Sequence, residues 1–197
     1  MKKLLLTLTA VAGLTMASKA QTEQGKFIVG GQVGFHSEKV EDSEAKNTGF
    51  SINPTVGYFV SDNWAVGTAI GYNWSEQKSG STVDIVTKNN AFNLAPFVRN
   101  YIGEGSFKFF SQLSVPMQWG ETEYKDGTDD YTNKFASYGV ELAPGVAFFP
   151  TPKVGVELKV RGLYYNHYDG KDSQPNSNSF GLDANSLSPT LGVQFHF

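Results

Sequence analysis

From residue 26 onward, apolar residues alternate with small or polar ones over most of the chain. Residues 64–75 show it clearly: Trp64, Val66, Thr68, Ile70, Tyr72 and Trp74 on one side, Ala65, Gly67, Ala69, Gly71, Asn73 and Ser75 on the other. A period of two marks a strand whose two faces meet different surroundings. Eight segments carry it and predict strands over 26–36, 49–60, 64–75, 90–102, 107–119, 136–149, 153–165 and 185–197. No segment after residue 20 keeps apolar residues at i, i+3, i+4 and i+7 over three turns, so no helix is predicted there. The even strands share a motif: SINPTVG, NLAPFVR, ELAPGVA and SLSPTLG. Their prolines, Pro54, Pro96, Pro144 and Pro189, lie 42, 48 and 45 residues apart. That interval is one hairpin with its loop, and four such hairpins make an all-β, antiparallel chain of eight strands. Proline removes a ladder hydrogen bond, so bulges are the expected place for these four, with no role assigned to them.

The links between strands alternate in length. Ser61-Asp62-Asn63, Gly103-Glu104-Gly105-Ser106 and Pro150-Thr151-Pro152 are short; SEKVEDSEAKN, EQKSGSTVDIVTK, GETEYKDGTDDYTNK and NHYDGKDSQPNSNSFGLD are long and polar. Short turns at one end and long loops at the other suit an eight-stranded up-and-down transmembrane β-barrel with its short turns in the periplasm. The competing architecture is a soluble lipocalin-like barrel, with its apolar face inside. The faces favour the membrane. Aromatics gather near both ends of the apolar faces and aliphatics near their middles, as two membrane interfaces require. The opposite faces carry Gly67, Ala69 and Gly71 where a solvated face would carry Lys and Glu, and small residues fit the inside of a narrow barrel. Phe27, Val29, Gly31, Val33 and Phe35 are then the lipid side of the first strand. The last strand, LSPTLGVQFHF, is apolar because lipid is its neighbour, and it must close against the first strand, since hydrocarbon tolerates no open edge.

Composition narrows this further. Lys2 and Lys3 precede an apolar run from Leu4 to Ala17, followed by Ser18-Lys19-Ala20. This reads as a secretory signal peptide over 1–20, leaving one barrel domain over 21–197. Its removal takes three lysines and no acid, moving the formal charge from −3 to −6 and arguing against nucleic acid as a partner. With no cysteine there is no disulfide framework and no thiolate chemistry. Twenty-one glycines, 14% aromatics and a mean hydropathy of −0.29 fit strands and turns.

Six charged residues within the strands fall on the non-aliphatic face: Arg99, Lys108, Glu141, Glu157, Lys159 and Arg161. They are expected to form a charge network in the lumen. A hairpin centred on Thr151 sets Glu141 opposite Arg161 and Ala143 opposite Lys159, in cross-strand reach. An unpaired charge on such a wall costs several kcal/mol.

The signal peptide, NPTVGYFVSDNWAVG (53–67), APFVRNYIG (95–103) and the terminal LGVQFHF together resemble the small outer-membrane β-barrel proteins of Gram-negative bacteria, the porin-like family of OmpX, OmpW and the OmpA transmembrane domain. The resemblance covers the whole chain after the leader. It implies residence in the outer membrane with both termini in the periplasm, contact with outer-membrane lipid and lipopolysaccharide, and a monomer. It also implies that Val193, Phe195 and Phe197 form the C-terminal signal read by the barrel-assembly machinery. No catalytic, cofactor-binding or metal-binding residue is implied.

Eight strands enclose an interior that side chains just fill, so a wide pore is not expected. The leading expectation is a non-enzymatic barrel with a filled lumen, serving envelope integrity or surface interaction through its loops. A narrow channel or binding barrel for small, even hydrophobic, molecules is an alternative. A lipid-modifying enzyme would need a triad, and His167, Asp169 and one of Ser173, Ser177 or Ser179 could supply it on paper. Glu121, Glu123, Asp126, Asp129 and Asp130 could offer oxygens to Ca²⁺, although their spacing is not that of an EF-hand.

Overall fold

The computed structural model describes residues 22–41, 44–79, 85–127, 129–171, 175–183 and 190–197. The leader, Ser173 and Pro189 lie outside these residues. Among the described residues all regular structure is strand. The strands are β1 (Phe27–Lys39), β2 (Lys46–Ser61), β3 (Trp64–Ser79), β4 (Ile85–Ile102), β5 (Phe107–Ser114), β6 (Met117–Lys125), β7 (Asp130–Thr151), β8 (Val154–Lys159), β9 (Gly162–Gly170), β10 (Ser177–Asp183) and β11 (Thr190–His196).

They build a closed antiparallel barrel of eight walls, three of them interrupted. Both β5 and β6 lie between β4 and β7. Both β8 and β9 follow β7, with β10 beside β9 and β11 beside β8. Closure comes from β1 against β11, from Ile28↔His196 to Gly31↔Val193. Phe27 and Phe197 exchange backbone hydrogen bonds of 3.0 Å just beyond that ladder. Past Gly31, among the described residues, β1 pairs only with β2.

Several walls run well past their predicted ends at the long-loop side. β1 reaches Lys39, β4 starts at Ile85, and β6 and β7 extend the third hairpin to Lys125 and Asp130. Much of the fourth predicted loop is the strand β10, and the expected start of the last strand at 185 lies outside the described residues. The physical reason is that alternation reports a difference between two faces. Beyond the apolar band both faces are polar, the alternation fades, and the ladder continues on pairs such as Glu76↔Lys88 and Glu121↔Lys134.

The prolines meet the irregularities of neighbouring walls. Pro54 lies opposite Gly31, whose φ of +152° marks the end of the β1–β11 ladder. A Cβ on Gly31 would sit 2.8 Å from Pro54 Cα. Pro96 faces the break between β5 and β6, and its carbonyl accepts from the Val115 N–H at 3.0 Å. Pro144 faces the break between β8 and β9, and its carbonyl accepts from the Val160 N–H at 3.1 Å. Gly162, at φ +70°, has no room for a Cβ beside the Leu142 carbonyl and Pro144. A donor missing from one strand is thus matched to a ladder already interrupted on the next.

The outer surface is apolar. Val29, Val56, Val66, Ile70, Val98, Leu113, Leu142 and Leu158 are all exposed on it. The core is the inside of the barrel near the short turns, where Ile28, Phe59, Ala65, Tyr101, Phe110, Ala147 and Phe149 are buried together.

Candidate functional site

The lumen is closed from the short-turn end upward. Thr22 and its neighbours fold beneath the barrel: the Asn63 N–H donates to the Thr22 carbonyl at 2.7 Å, and the Gly25 N–H to the Phe59 carbonyl at 2.9 Å. Lys108 Nζ donates to Thr22 Oγ1 at 2.7 Å and to Asn63 Oδ1 at 3.2 Å, tying this segment to the wall. Above it lies a layer of rings. Tyr101 packs against Phe59, Phe110 and Phe149, with centroids 5.8, 5.7 and 6.4 Å away. His196 meets Phe149 edge-on at 5.2 Å. These rings lie on five different strands and point inward because each falls on the lumen parity of its wall.

Over the rings sits Arg99, 4% exposed, paired with Glu157, also 4% exposed. Arg99 Nη1 donates to both Glu157 oxygens, at 2.8 and 2.7 Å, and to Tyr101 Oη at 2.8 Å. Its Nε and Nη2 donate to Gln112 Oε1 at 2.9 and 2.6 Å. The Tyr101 hydroxyl and Gln194 Nε2 both donate to Glu157, at 2.8 and 2.7 Å. The guanidinium also lies over the Phe110 ring, 4.4 Å from its centroid. Every charge in this cross-section has a partner, as a desolvated pair requires.

One level higher, Glu141 lies between two cations, 3.8 Å from Lys159 Nζ and 3.6 Å from Arg161 Nε. The register differs from the expected one. Gly145, not Ala143, faces Lys159, and Tyr164, not Arg161, faces Glu141. The turn after β7 is longer than a hairpin centred on Thr151, and the break before Gly162 changes the parity between β8 and β9. Arg161 belongs to that break; it reaches Glu141 from there and lays its guanidinium 3.7 Å from the Tyr164 ring centroid. The six sequence-selected charges therefore occupy three levels: Lys108 at the cap, Arg99 and Glu157 in the middle, and Glu141, Lys159 and Arg161 above.

Toward the long loops the lumen walls turn to amides and hydroxyls. Paired residues Gln32↔Asn53, Gly71↔Asn93↔Gln118 and Ser137↔Tyr168 form one such row. Asn53 Oδ1 occupies the space that a Gly71 side chain would take. Gln118 Nε2 donates to Asn93 at 2.8 Å, and Ser137 Oγ to Asn166 at 2.7 Å. Two open cavities remain in this half, about 290 Å³ beside Arg99 and Lys159 and about 540 Å³ beside Asn73, Asn89 and Gln118.

Among the described residues the triad candidates are not assembled. His167 Nδ1 lies 2.8 Å from Asn178 Oδ1, and Asp169 pairs with Lys171 at 3.3 Å. Pairing of His167 with Asn178 puts Ser177 and Ser179 on the other face of β10. The acidic third hairpin is spread out as well. Glu121 faces Lys134 across the ladder, Asp130 lies 3.4 Å from Lys125, and Asp126 Oδ1 caps the Asp129 N–H at 2.7 Å. Val193, Phe195 and Phe197 are exposed on the outer face of the closing wall.

Sequence reasoning missed Tyr101, Gln112, Gln194 and the Thr22–Asn63 cap. The first three share the parity of Arg99 and Glu157 on their strands, so a list of every inward polar residue would have found them. Nothing local in the sequence indicates that Thr22 turns under the barrel.

The model of the "Outer membrane protein beta-barrel domain" family matches residues 6–195. Among curated protein sequences none matches the chain. Three solved structures are similar in shape. Neisserial surface protein A is 17% identical, with a TM-score of 0.44 over 88% of this chain and 98% of that one. The N-terminal β-barrel domain of Pseudomonas aeruginosa OprF is 13% identical, with a TM-score of 0.40 over 88% and 98%. A major outer membrane protein from Thermus thermophilus is 13% identical, with a TM-score of 0.44 over 89% and 100%.

Proposed function

The chain belongs to the outer membrane protein β-barrel domain family, and from that premise we propose that it is a non-enzymatic, non-conducting wall of the outer membrane. In this reading both termini and the short turns lie in the periplasm. The long hairpins stand outside the cell and serve envelope integrity or surface contact. The barrel works as a monomer in contact with lipopolysaccharide, and Val193, Phe195 and Phe197 present the assembly signal. The observation that carries the reading is the doubly sealed lumen, an Arg99–Glu157 network of 2.6–2.9 Å bonds resting on a layer of buried rings. An ion would have to dislodge a desolvated salt bridge and then a ring layer to cross.

Planar-bilayer recordings test the seal. The refolded barrel is expected to give no discrete current steps; stable ohmic openings would overturn the proposal. The about 540 Å³ cavity favours a second reading, a binding barrel for a small molecule entering from the outside. It predicts ligand uptake without current.

The apolar outer band gives a further expected result. Ile70, exposed on β3, lies mid-strand. Ile70→Lys should cost about 2–4 kcal/mol in lipid vesicles, whereas Ile102→Lys, at a strand end, should cost about 0–1 kcal/mol. Equal losses in urea titrations would show that the band is not centred on the membrane.

A further inference from the structure

The long-hairpin rim of the barrel is charged, but unevenly around its circumference. On the wall built by β6, β7 and β9 the outward charges are matched. Glu121 faces Lys134, Lys125 faces Asp130 at 3.4 Å, and Lys171 lies 3.3 Å from Asp169. On the wall built by β1, β2 and β3 the matching fails. Lys39 pairs in register with Lys46, and Lys46 with Lys78, so three ammonium groups stand side by side on adjacent strands. Like charges directly opposed across a ladder are destabilising. Among the described residues no acid pairs with Lys39 or Lys46, while Glu76 lies 3.6 Å from Lys78 and 3.5 Å from Lys88. Glu38 points to the lumen side of β1. Among the described residues of the turn beyond the row, neither Glu41 nor Glu44 forms an ion pair with it, and Asp42 lies outside the described residues. Among the described residues the outward rim of β1, β2 and β3 carries three lysines against one glutamate, whereas Lys88 on β4 is matched on both sides, by Glu76 at 3.5 Å and by Glu123 in register.

Position gives this row its chemistry. Lys39 shares the face of Val33 and Phe35, Lys46 that of Phe50 and Ile52, and Lys78 that of Tyr72 and Trp74. Phe35, Phe50 and Trp74 are themselves opposite one another on one rung. Val33 and Phe35 are each 73% exposed. An aromatic rung on the outer face marks the headgroup boundary. The lysines stand four residues beyond it, about 13 Å along the strand and about 10 Å along the membrane normal after strand tilt. A fixed anion at that height, in the same leaflet as the rings, would relieve the lysine repulsion.

We propose that Lys39, Lys46 and Lys78 form a binding site for the phosphates of an outer-leaflet glycolipid whose acyl chains lie on Val33, Phe35, Phe50 and Ile52. Ammonium groups bind phosphate as point charges on flexible stems, so three in a row can follow a bisphosphorylated headgroup. The site rests on the proposed orientation, which puts the long hairpins in the outer leaflet.

The test uses the full mature barrel in phosphatidylcholine nanodiscs doped with bisphosphorylated lipid A or with its dephosphorylated form, and reads lipid retained per barrel by native mass spectrometry. The wild type should retain the phosphorylated lipid and not the dephosphorylated one. Lys39→Gln/Lys46→Gln/Lys78→Gln should retain at least about tenfold less, and the triple arginine variant should retain it as the wild type does. Lys125→Gln, on the matched wall, should change nothing. The heat-dependent gel shift verifies that each variant is folded. Equal retention of both lipids, or retention unchanged in the triple glutamine variant, would overturn the site. Displacement by free inorganic phosphate at the lipid's own concentration would make it a free-anion site and overturn the lipid assignment. Both nanodisc faces carry the lipid, so the result does not depend on orientation in the cell. Orientation is read separately by labelling Asp126→Cys on whole cells with a membrane-impermeant reagent, where labelling supports it and protection rejects it.

Discussion

Replacing Glu157 with alanine is expected to lower the unfolding free energy of the barrel by about 3–5 kcal/mol, because it leaves a buried guanidinium without its counter-ion. Glu157 accepts four of the hydrogen bonds in the central network, two from Arg99, one from Tyr101 and one from Gln194. Each donor would keep its burial and lose this acceptor, and a buried donor left unsatisfied costs its full desolvation penalty. The double variant Arg99→Met/Glu157→Leu should regain most of the stability, since replacing a buried pair with apolar groups of similar size is often neutral or stabilising. Urea titrations of the protein folded in phospholipid vesicles, read by tryptophan fluorescence and by the heat-dependent gel shift, measure both. A loss under about 1 kcal/mol for Glu157→Ala would mean that water reaches Arg99, and the seal would then be absent.

The second large effect is expected at Phe59. Its side chain is fully buried and packs between Tyr101 and His196, each 5.8 Å away between ring centroids. Phe59→Ala should cost about 3–5 kcal/mol, the transfer cost of the ring plus the cavity it leaves among rings held by five strands. Phe109→Ala provides the contrast. Phe109 is 68% exposed on the outer face, where lipid can fill the space a lost ring leaves. Its cost in the same titration should be well below that of Phe59→Ala. Comparable losses would indicate that the ring layer is loosely packed and that the two faces are energetically alike.

Phe59 also shows where reading by residue type fails. Its parity puts it with Ser51, Asn53, Thr55 and Gly57, a polar and small face, yet it is one of the most buried groups in the molecule. Parity was the reliable guide, and hydrophobicity at a single position was not. The same lesson runs the other way for Gln112 and Gln194. They look like ordinary polar residues of a strand, and they become acceptor and donor for the central ion pair only because two pairs of adjacent walls, β4 with β5 and β8 with β11, meet across a narrow barrel.

The Glu141 cluster divides along the same line. Inward parity put Glu141 and Lys159 on one side of the wall without any knowledge of the register. Their pairing partners depended on turn length and on the break at Val160–Arg161, which no alternation pattern encodes. A shift of two residues along a strand preserves the face and changes the neighbour. The strand ends at the long-loop side were hidden for a related reason: once both faces are polar, the ladder persists with no periodic signal to announce it. The prolines were visible as a repeat, but their compatibility with a closed sheet rests on irregularities in the adjoining walls, at Gly31, at Val115–Pro116 and at Val160–Arg161.

The sequence by itself determined which face of each strand meets lipid and which meets the lumen, because a period of two is a local property and burial in two different media imprints it residue by residue. It therefore determined the eight-walled architecture, the apolar outer band and the inward direction of Arg99, Lys108, Glu141, Glu157 and Lys159. Only the tertiary structure decided who meets whom: Arg99 with Glu157 across 58 residues of chain, Thr22 with Lys108 beneath the plug, and Lys39 beside Lys46 and Lys78 on the rim. Those contacts depend on register, turn length and barrel closure, which are set by the sum of all the ladders at once and are written in no single stretch of the chain.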